Sequence, residues 1–492
     1  MLLIDTAGAT NIAGTTYETS YTPLSPGGQL VSTIRPVQQV ELVNMLNATQ
    51  LAKFGENLNN AQPTRLTLGE KWEGMALAPV LEENAPNDYF LFVGNDNDFL
   101  ASNCTAVGQN CSQAVNSDAH MMVYRLTLPT YADSQNLDSM ITSGPAVIEM
   151  TGQAAVAVSE NNTDNIEAQL GAVRRAGGVG PAYVWVSGGY RNATWDKFTG
   201  PGLAAKRFRF QGSFGGDFEV TPGVRLGAAA GYSENISKVA GYKINARGYG
   251  LSLYASGERD GVFAHGGLTY ANIDHADIAR PAAYGQTAIA APKGTGWAGF
   301  LEAGYMFDTG VLKVGPVAAY YYADAAISAY TETGASGGNV TYPKHTTVAS
   351  SASIGAEISG TWGEVSPYAR LFYNAGFNKH DKKLDLKLAS VTTAMATQTV
   401  IVANTNENSV SGSVGIQGHY GPALWTLGYS ADFGQDDRKD QIVRIGVGFS
   451  FSSAFRRSGN RFGRAGFISG LQQVPGAAFL TIARRIARVV VE

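Results

Sequence analysis

The chain has 492 residues with 59 glycines, 23 tyrosines, only 15% charged residues and a formal net charge of −4. That balance offers no basic surface for nucleic acid, and a mean hydropathy of −0.08 with no run of about 20 apolar residues gives no helical membrane span. Length allows two or three domains, and glycine well above the roughly 7% of average proteins favours a crowded β-structure.

Residues 1–130 read as a β-rich piece. Short apolar runs at Met1–Ile4, Met75–Leu81, Tyr89–Val93 and Met121–Leu128 are separated by polar turn segments such as Asn57-Leu58-Asn59-Asn60. Leu42 to Leu51 suits one short helix. Met1-Leu2-Leu3-Ile4-Asp5 lacks a basic n-region, and its apolar run is too short for a signal peptide. An exported chain is therefore expected to carry its leader upstream. Cys104 and Cys111 stand in a polar loop at a spacing that matches no zinc pattern. In an exported chain they are expected to form one small disulfide, with two free thiols as the alternative.

Residues 131–178 are expected to hold a polar linker and then a helix. Ile166, Leu170 and Val173 fall at i, i+4 and i+7, one helical face. Arg174 and Arg175 suit the negative end of the helix dipole, and Gly177-Gly178 stops it.

From 179 to 451 the pattern changes to period two. Strands are expected at 183–192, 206–220, 223–236, 242–257, 261–274, 294–307, 311–324, 345–361, 364–377, 407–420, 423–434 and 441–451. In the third, Val224, Leu226, Ala228, Ala230 and Tyr232 share one face, and Arg225, Gly227, Ala229 and Gly231 the other. The last repeats this with Val443, Ile445, Val447, Phe449 and Phe451 against Arg444, Gly446, Gly448 and Ser450. Tight turns at Thr221-Pro222, Glu258-Arg259-Asp260, Asp308-Thr309-Gly310, Trp362-Gly363 and Gly421-Pro422 alternate with longer loops, notably 275–293, 325–344 and 378–406. Apolar-out, small-polar-in strands with short turns at one end and long loops at the other specify a transmembrane β-barrel. The fold class is all-β: a twelve-stranded antiparallel barrel with an internal helix, preceded by a β-rich fragment.

A helix, twelve strands and the aromatic end Phe449-Ser450-Phe451 make residues 150–451 resemble the translocator of autotransporters, the type V secretion proteins. The resemblance implies an outer-membrane barrel of a Gram-negative bacterium, monomeric, with the helix in the lumen and an extracellular passenger at the N-terminal side. It implies lipid and the barrel assembly machinery as partners, the latter reading the terminal aromatic residues, and no cofactor. The front piece resembles the end of an "esterase-like activity of phytase" domain. Gly69-Glu70-Lys71-Trp72-Glu73-Gly74-Met75-Ala76 carries that likeness, together with Val93-Gly94-Asn95-Asp96-Asn97-Asp98-Phe99. The spacing between the two glutamates is one residue longer than in that family. This second resemblance implies part of a β-propeller and a passenger that hydrolyses an ester or phosphoester.

Glu70, Glu73, Asp96 and Asp98 are candidate Ca²⁺ ligands or acid–base groups. The alternative is that Asn95–Asp98 simply form turns. Gly334-Ala335-Ser336-Gly337-Gly338 matches G-x-S-x-G but lies in a loop between strands, without the strand-to-helix setting of a nucleophile elbow. Arg225, Arg370 and Arg444 point inward, to pair with carboxylates across the lumen or line a solvated wall. The 452–492 extension holds seven arginines against Glu492. It reads either as a basic amphipathic helix around 478–491 or as sequence beyond the natural end of the barrel.

Overall fold

The computed structural model describes residues 1–20, 22–58, 64–69, 71–96, 118–196, 204–239, 241–377, 380–403, 408–434 and 438–451. Twelve long strands dominate it: β1 Ala182–Trp195, β2 Ala205–Thr221, β3 Val224–Val239, β4 Tyr242–Arg259, β5 Val262–Pro281, β6 Lys293–Tyr305, β7 Leu312–Ile327, β8 His345–Gly360, β9 Val365–Phe377, β10 Ser409–Tyr420, β11 Ala423–Gly434 and β12 Lys439–Phe451. Each pairs antiparallel with its neighbours. The sheet closes where β12 meets β1, in a register from Phe451↔Ala182 to Lys439↔Thr194. Closure leaves no unpaired edge in the wall, which is the condition for crossing a bilayer with strands.

The pleat sorts the side chains. On β2, Arg207, Arg209, Gln211 and Ser213 are buried toward the lumen while Phe210, Phe214 and Phe218 are exposed on the outside. Outward Leu251 is 68% exposed, Leu253 72%, Ile354 68% and Leu371 63%. A soluble protein rarely shows so broad an apolar belt, whereas lipid covers it at no cost. No helix among the described residues is long and apolar enough to cross a membrane; the strands cross instead.

Local chemistry fixes the tight rim. Between β4 and β5, Asp260 (φ 52°) and Gly261 (φ 83°) both adopt the left-handed region, with Arg259 paired to Val262. This is the two-residue hairpin that Asp-Gly favours, one residue further on than the sequence pattern places it. Pro222-Gly223 makes the neighbouring turn with Gly223 at φ 80°. At the opposite rim the connections are long, with two exceptions: β3 ends at Val239 and β4 starts at Tyr242, and β11 ends at Gly434 and β12 starts at Lys439. β2 to β5 are 17, 16, 18 and 20 residues long. About 9–11 tilted residues span the hydrocarbon, so this side of the wall stands well above the membrane.

Two sequence expectations are corrected. The helix runs from Ser134 to Arg175, 42 residues, and not from about Asp164. Its first thirty residues are rich in Ala, Gly, Ser and Val and bear no charge-flanked stripe: residues 143–159 are almost wholly buried, while Gln135, Asp138, Ile141 and Thr142 are exposed at the outer end. The loops 325–344 and 378–406 are also not open loops. They supply Tyr330–Thr331, Val340–Tyr342, Lys382–Leu388 and Thr397–Val402, which pair into a four-stranded sheet. Its buried Leu386, Leu388, Val400 and Val402 pack on Met140, Val147 and Ile148 of the helix.

In the front piece, Leu2–Asp5 pairs with Gln38–Glu41. Trp72–Pro79, Asp88–Asn95 and Met121–Thr127 form a three-stranded antiparallel sheet. The short helix covers Ala48–Lys53, with Asn47 accepting from the Gln50 amide, and Leu51, Leu68 and Met122 make a small core.

Candidate translocation lumen

The lumen is built around the helix. Asp133 caps its outer end, accepting from the amides of Gln135 and Asn136. Arg174 and Arg175 close its inner end, beside the tight-turn rim where β1 begins. At about 1.5 Å per residue the helix is long enough to run from the long-loop rim to the tight-turn rim.

Close approach to the wall depends on small residues. A Cβ at Gly231 would lie 1.9 Å from Asn162 Oδ1. One at Gly152 of the helix would lie 2.0 Å from Thr347 Oγ1. The outer half is apolar, with Ala154, Ala155 and Val158 against Ala246, Ala271, Ile273 and Ala298. Below it comes an uncharged polar layer. Asn162 donates to the Gly250 carbonyl (2.8 Å) and Ser252 Oγ (3.0 Å). Asn165 donates to Ser213 Oγ at 2.8 Å and accepts from Gln211 at 3.0 Å.

Two charge clusters follow. Asp164 takes Arg209 at 2.5 Å, Arg191 at 3.2 Å and Arg444 at 3.6 Å, while Arg191 also holds Asp440 at 2.7 Å. Lower down, Arg370 pairs with Glu302, with Glu167 at 3.1 Å and with Glu357 at 3.4 Å. His265 Nε2 lies 3.3 Å from Glu302. Glu357 also accepts Arg174 at 2.5 Å and Arg175 at 3.4 Å. The Arg174 guanidinium lies 4.0 Å from the Phe263 ring centroid, and that of Arg175 lies 3.8 Å from Tyr368. Such pairs hold the helix in one register: breaking one strands a buried charge at a cost of about 3–5 kcal/mol.

The helix does not fill the lumen. A cavity of about 310 Å³ runs between its Glu160–Glu167 face and the β8–β12 wall, where Ser353, Asn374, Ser411, Ser430 and Asp432 line it. That polar strip gives the barrel room beside the helix.

The inward arginines foreseen from the pattern are all paired: Arg225 with Asp217 at 2.5 Å, Arg370 and Arg444 as above. Their partners Asp217, Asp164, Glu167, Glu302 and Glu357 were not singled out. The signal was present, since each wall carboxylate sits at an inward position of the period-two pattern. Phe449 and Phe451 face outward on β12. Glu73 is exposed on its strand with Lys71 Nζ 3.7 Å away, and the Asp96 amide donates to the Lys71 carbonyl. Glu70, Asp98, Cys104, Cys111 and the 452–492 extension lie outside the described residues. Among the described residues no group of His, Cys, Asp and Glu is arranged to hold a metal ion. Ser336 donates its hydroxyl to the Glu82 carbonyl at 2.7 Å and belongs to a loop.

The family model "Autotransporter beta-domain" matches residues 184–432, half of the chain. The chain belongs to the autotransporter beta-domain family. Similar solved structures include the translocator domain of the autotransporter NalP from Neisseria meningitidis (15% identity, TM-score 0.46, covering 61% of this chain and 100% of that one). Another is the beta domain of the Bordetella autotransporter BrkA (16%, 0.42, covering 55% and 100%). A third is the transport unit of AIDA-I from Escherichia coli (14%, 0.41, covering 55% and 90%). No curated protein matches the chain. As an autotransporter translocator, the barrel resides in the outer membrane of a Gram-negative bacterium. Its rims are thereby oriented: short turns and Phe451 toward the periplasm, long loops toward the outside.

Proposed function

We propose that this translocator delivers the residues N-terminal to its helix to the cell surface and then holds them there through the helix. One observation carries the reading. A continuous 42-residue helix occupies the lumen, with the front piece at its outer end and β1 at its inner end. The front piece would be the root of a passenger of the esterase-like phytase family; the Glu73-Gly74-Met75-Ala76 strand and the Asn95-Asp96 strand end support that assignment by resemblance. Any hydrolysis belongs to that passenger and not to the barrel. The barrel is monomeric, needs no cofactor, and engages the assembly machinery through Phe449 and Phe451. The test is protease shaving of intact cells with an epitope inserted after Glu83, in an exposed turn. Loss of the epitope while the barrel stays protected supports the reading. An epitope reached only after the outer membrane is permeabilised overturns it.

A further inference from the structure

Three extracellular connections converge on the chain segment that enters the barrel. At the end of β5, Arg280 is fully buried and grips Glu332 with two bonds, 2.8 and 2.6 Å. The same guanidinium donates to the Gly338 carbonyl at 2.8 Å and to the helix hydroxyls of Ser139 (3.2 Å) and Ser143 (3.4 Å). Glu332 in turn accepts from the Val340 amide and the Tyr342 hydroxyl. Tyr284 sits at φ 58°, a conformation costly for a bulky residue. From there its hydroxyl reaches Asp133 Oδ2 at 2.9 Å, the carboxylate that caps the helix. Ser336 holds Glu82 of the front piece. Thr392 and Thr393 donate to the carbonyls of Pro129 and Thr130. The loop sheet lays Leu386 and Leu388, both fully buried, on the first turns of the helix.

We propose that these loops are a latch that closes on the passenger root once it has left the barrel, fixing the helix in the lumen and sealing the outer mouth. The logic is one of order. Glu82, Pro129, Thr130, Asp133, Ser139 and Ser143 all precede the barrel in the chain. In a translocator they reach the outside only by passing through the lumen, so the latch cannot form before they emerge. The Arg280–Glu332 pair ties two loops together, while Arg280, Tyr284, Ser336, Thr392 and Thr393 make the contacts to the transported chain, and the strain at Tyr284 is held by the completed contact. The latch rests on the delivery reading given above.

The test uses the full chain, purified from outer membranes, with heat-modifiable gel mobility to certify the barrel. Channel activity is recorded in planar bilayers, and proteinase K cleavage is mapped between 128 and 136. The wild type is expected to stay closed and to resist cleavage. Arg280→Ala strands Glu332 and is expected to raise the open fraction and the cleavage rate by about tenfold or more. Arg280→Met with Glu332→Leu, which fills the same space without charge, is expected to restore both toward wild type. Tyr284→Phe with Ser336→Ala removes two hydrogen bonds without burying a charge, is expected to give about a tenfold rise, and decides the question should Arg280→Ala not assemble. Variants that show the heat shift yet match wild type in conductance and cleavage overturn the latch alone. A wild-type chain with no heat shift overturns the latch and the delivery reading together.

Discussion

Glu357 is the sharpest point at which to perturb the helix. Its carboxylate lies on the inward face of β8, is 1% exposed, and faces Arg174, Arg175 and Arg370 at 2.5, 3.4 and 3.4 Å. Glu357→Gln keeps the shape and removes the charge. Arg370 retains Glu302 and Glu167, but Arg174 and Arg175 lose their shared carboxylate. Stranding buried charge costs about 3–5 kcal/mol, and every ~1.4 kcal/mol is tenfold, so release of the inner helix end should rise about a hundredfold or more. The wall strands stay paired, so the heat shift should persist. Trypsin reports the release directly, because it cuts after Arg174 or Arg175 only when that end leaves the wall. Under fast opening and closing, the cleavage rate follows the open population. Purified wild type should resist at these two bonds, and Glu357→Gln should be cut much faster, with Glu357→Asp between them. Equal cleavage rates in wild type and Glu357→Gln would refute the claim that this cluster holds the helix.

Three further outcomes are expected. Gly231→Val places a branched side chain where Asn162 Oδ1 already sits. It should weaken helix docking by about 1–3 kcal/mol, seen as faster hydrogen exchange over 158–166 with the wall unchanged. Asp133→Ala removes the cap of the helix and the acceptor of Tyr284. It should cost about 1 kcal/mol locally and speed exchange in the first helical turn. In the front sheet, the Thr127 hydroxyl and then Arg125 hold the Asp88 carboxyl below its ordinary value. A depressed carboxyl stabilises the fold above the unfolded value, about 4, and this is lost as pH falls through the folded value. Protection from exchange in Asp88–Asn95, relative to the intrinsic rate at each pH, should therefore fall below about pH 4 in wild type, but Asp88→Asn should show no such step.

Much of the barrel was legible because its physics is local. Period-two alternation needs only lipid on one side and a crowded lumen on the other, and all twelve strands and the periplasmic turns follow from it. The strand ends were less legible: β5 extends to Pro281, past the membrane, where the wall faces other protein and no longer has a lipid side. The same holds for the helix. Ile166, Leu170 and Val173 show a face because one side of the inner end borders the polar cavity, whereas 143–159 are almost wholly buried and carry no polar stripe to mark a period. In the loop strand Lys382–Leu388, Leu384, Leu386 and Leu388 do alternate with charged residues. Its partner Thr397–Val402 lies beyond a turn, so the pairing depended on a distant stretch. The luminal pairs were half legible: inward arginines could be picked out, but which carboxylate each meets depends on the curvature of the wall and the rotation of the helix.

The central claim is that the helix threads a closed barrel in the outer membrane, and a cysteine pair across the lumen tests it directly. Asn162 Nδ2 and Ser252 Oγ are 3.0 Å apart, so Asn162→Cys with Ser252→Cys should cross-link on oxidation in outer-membrane vesicles and alter mobility on a fully denaturing gel. Ser252→Cys with Thr269→Cys, whose hydroxyls are 2.7 Å apart on paired strands, serves as the wall-to-wall reference. Cross-linking of both pairs is the expected result. Cross-linking of the reference pair alone, in a barrel that still shows the heat shift, would contradict the helix-in-lumen arrangement.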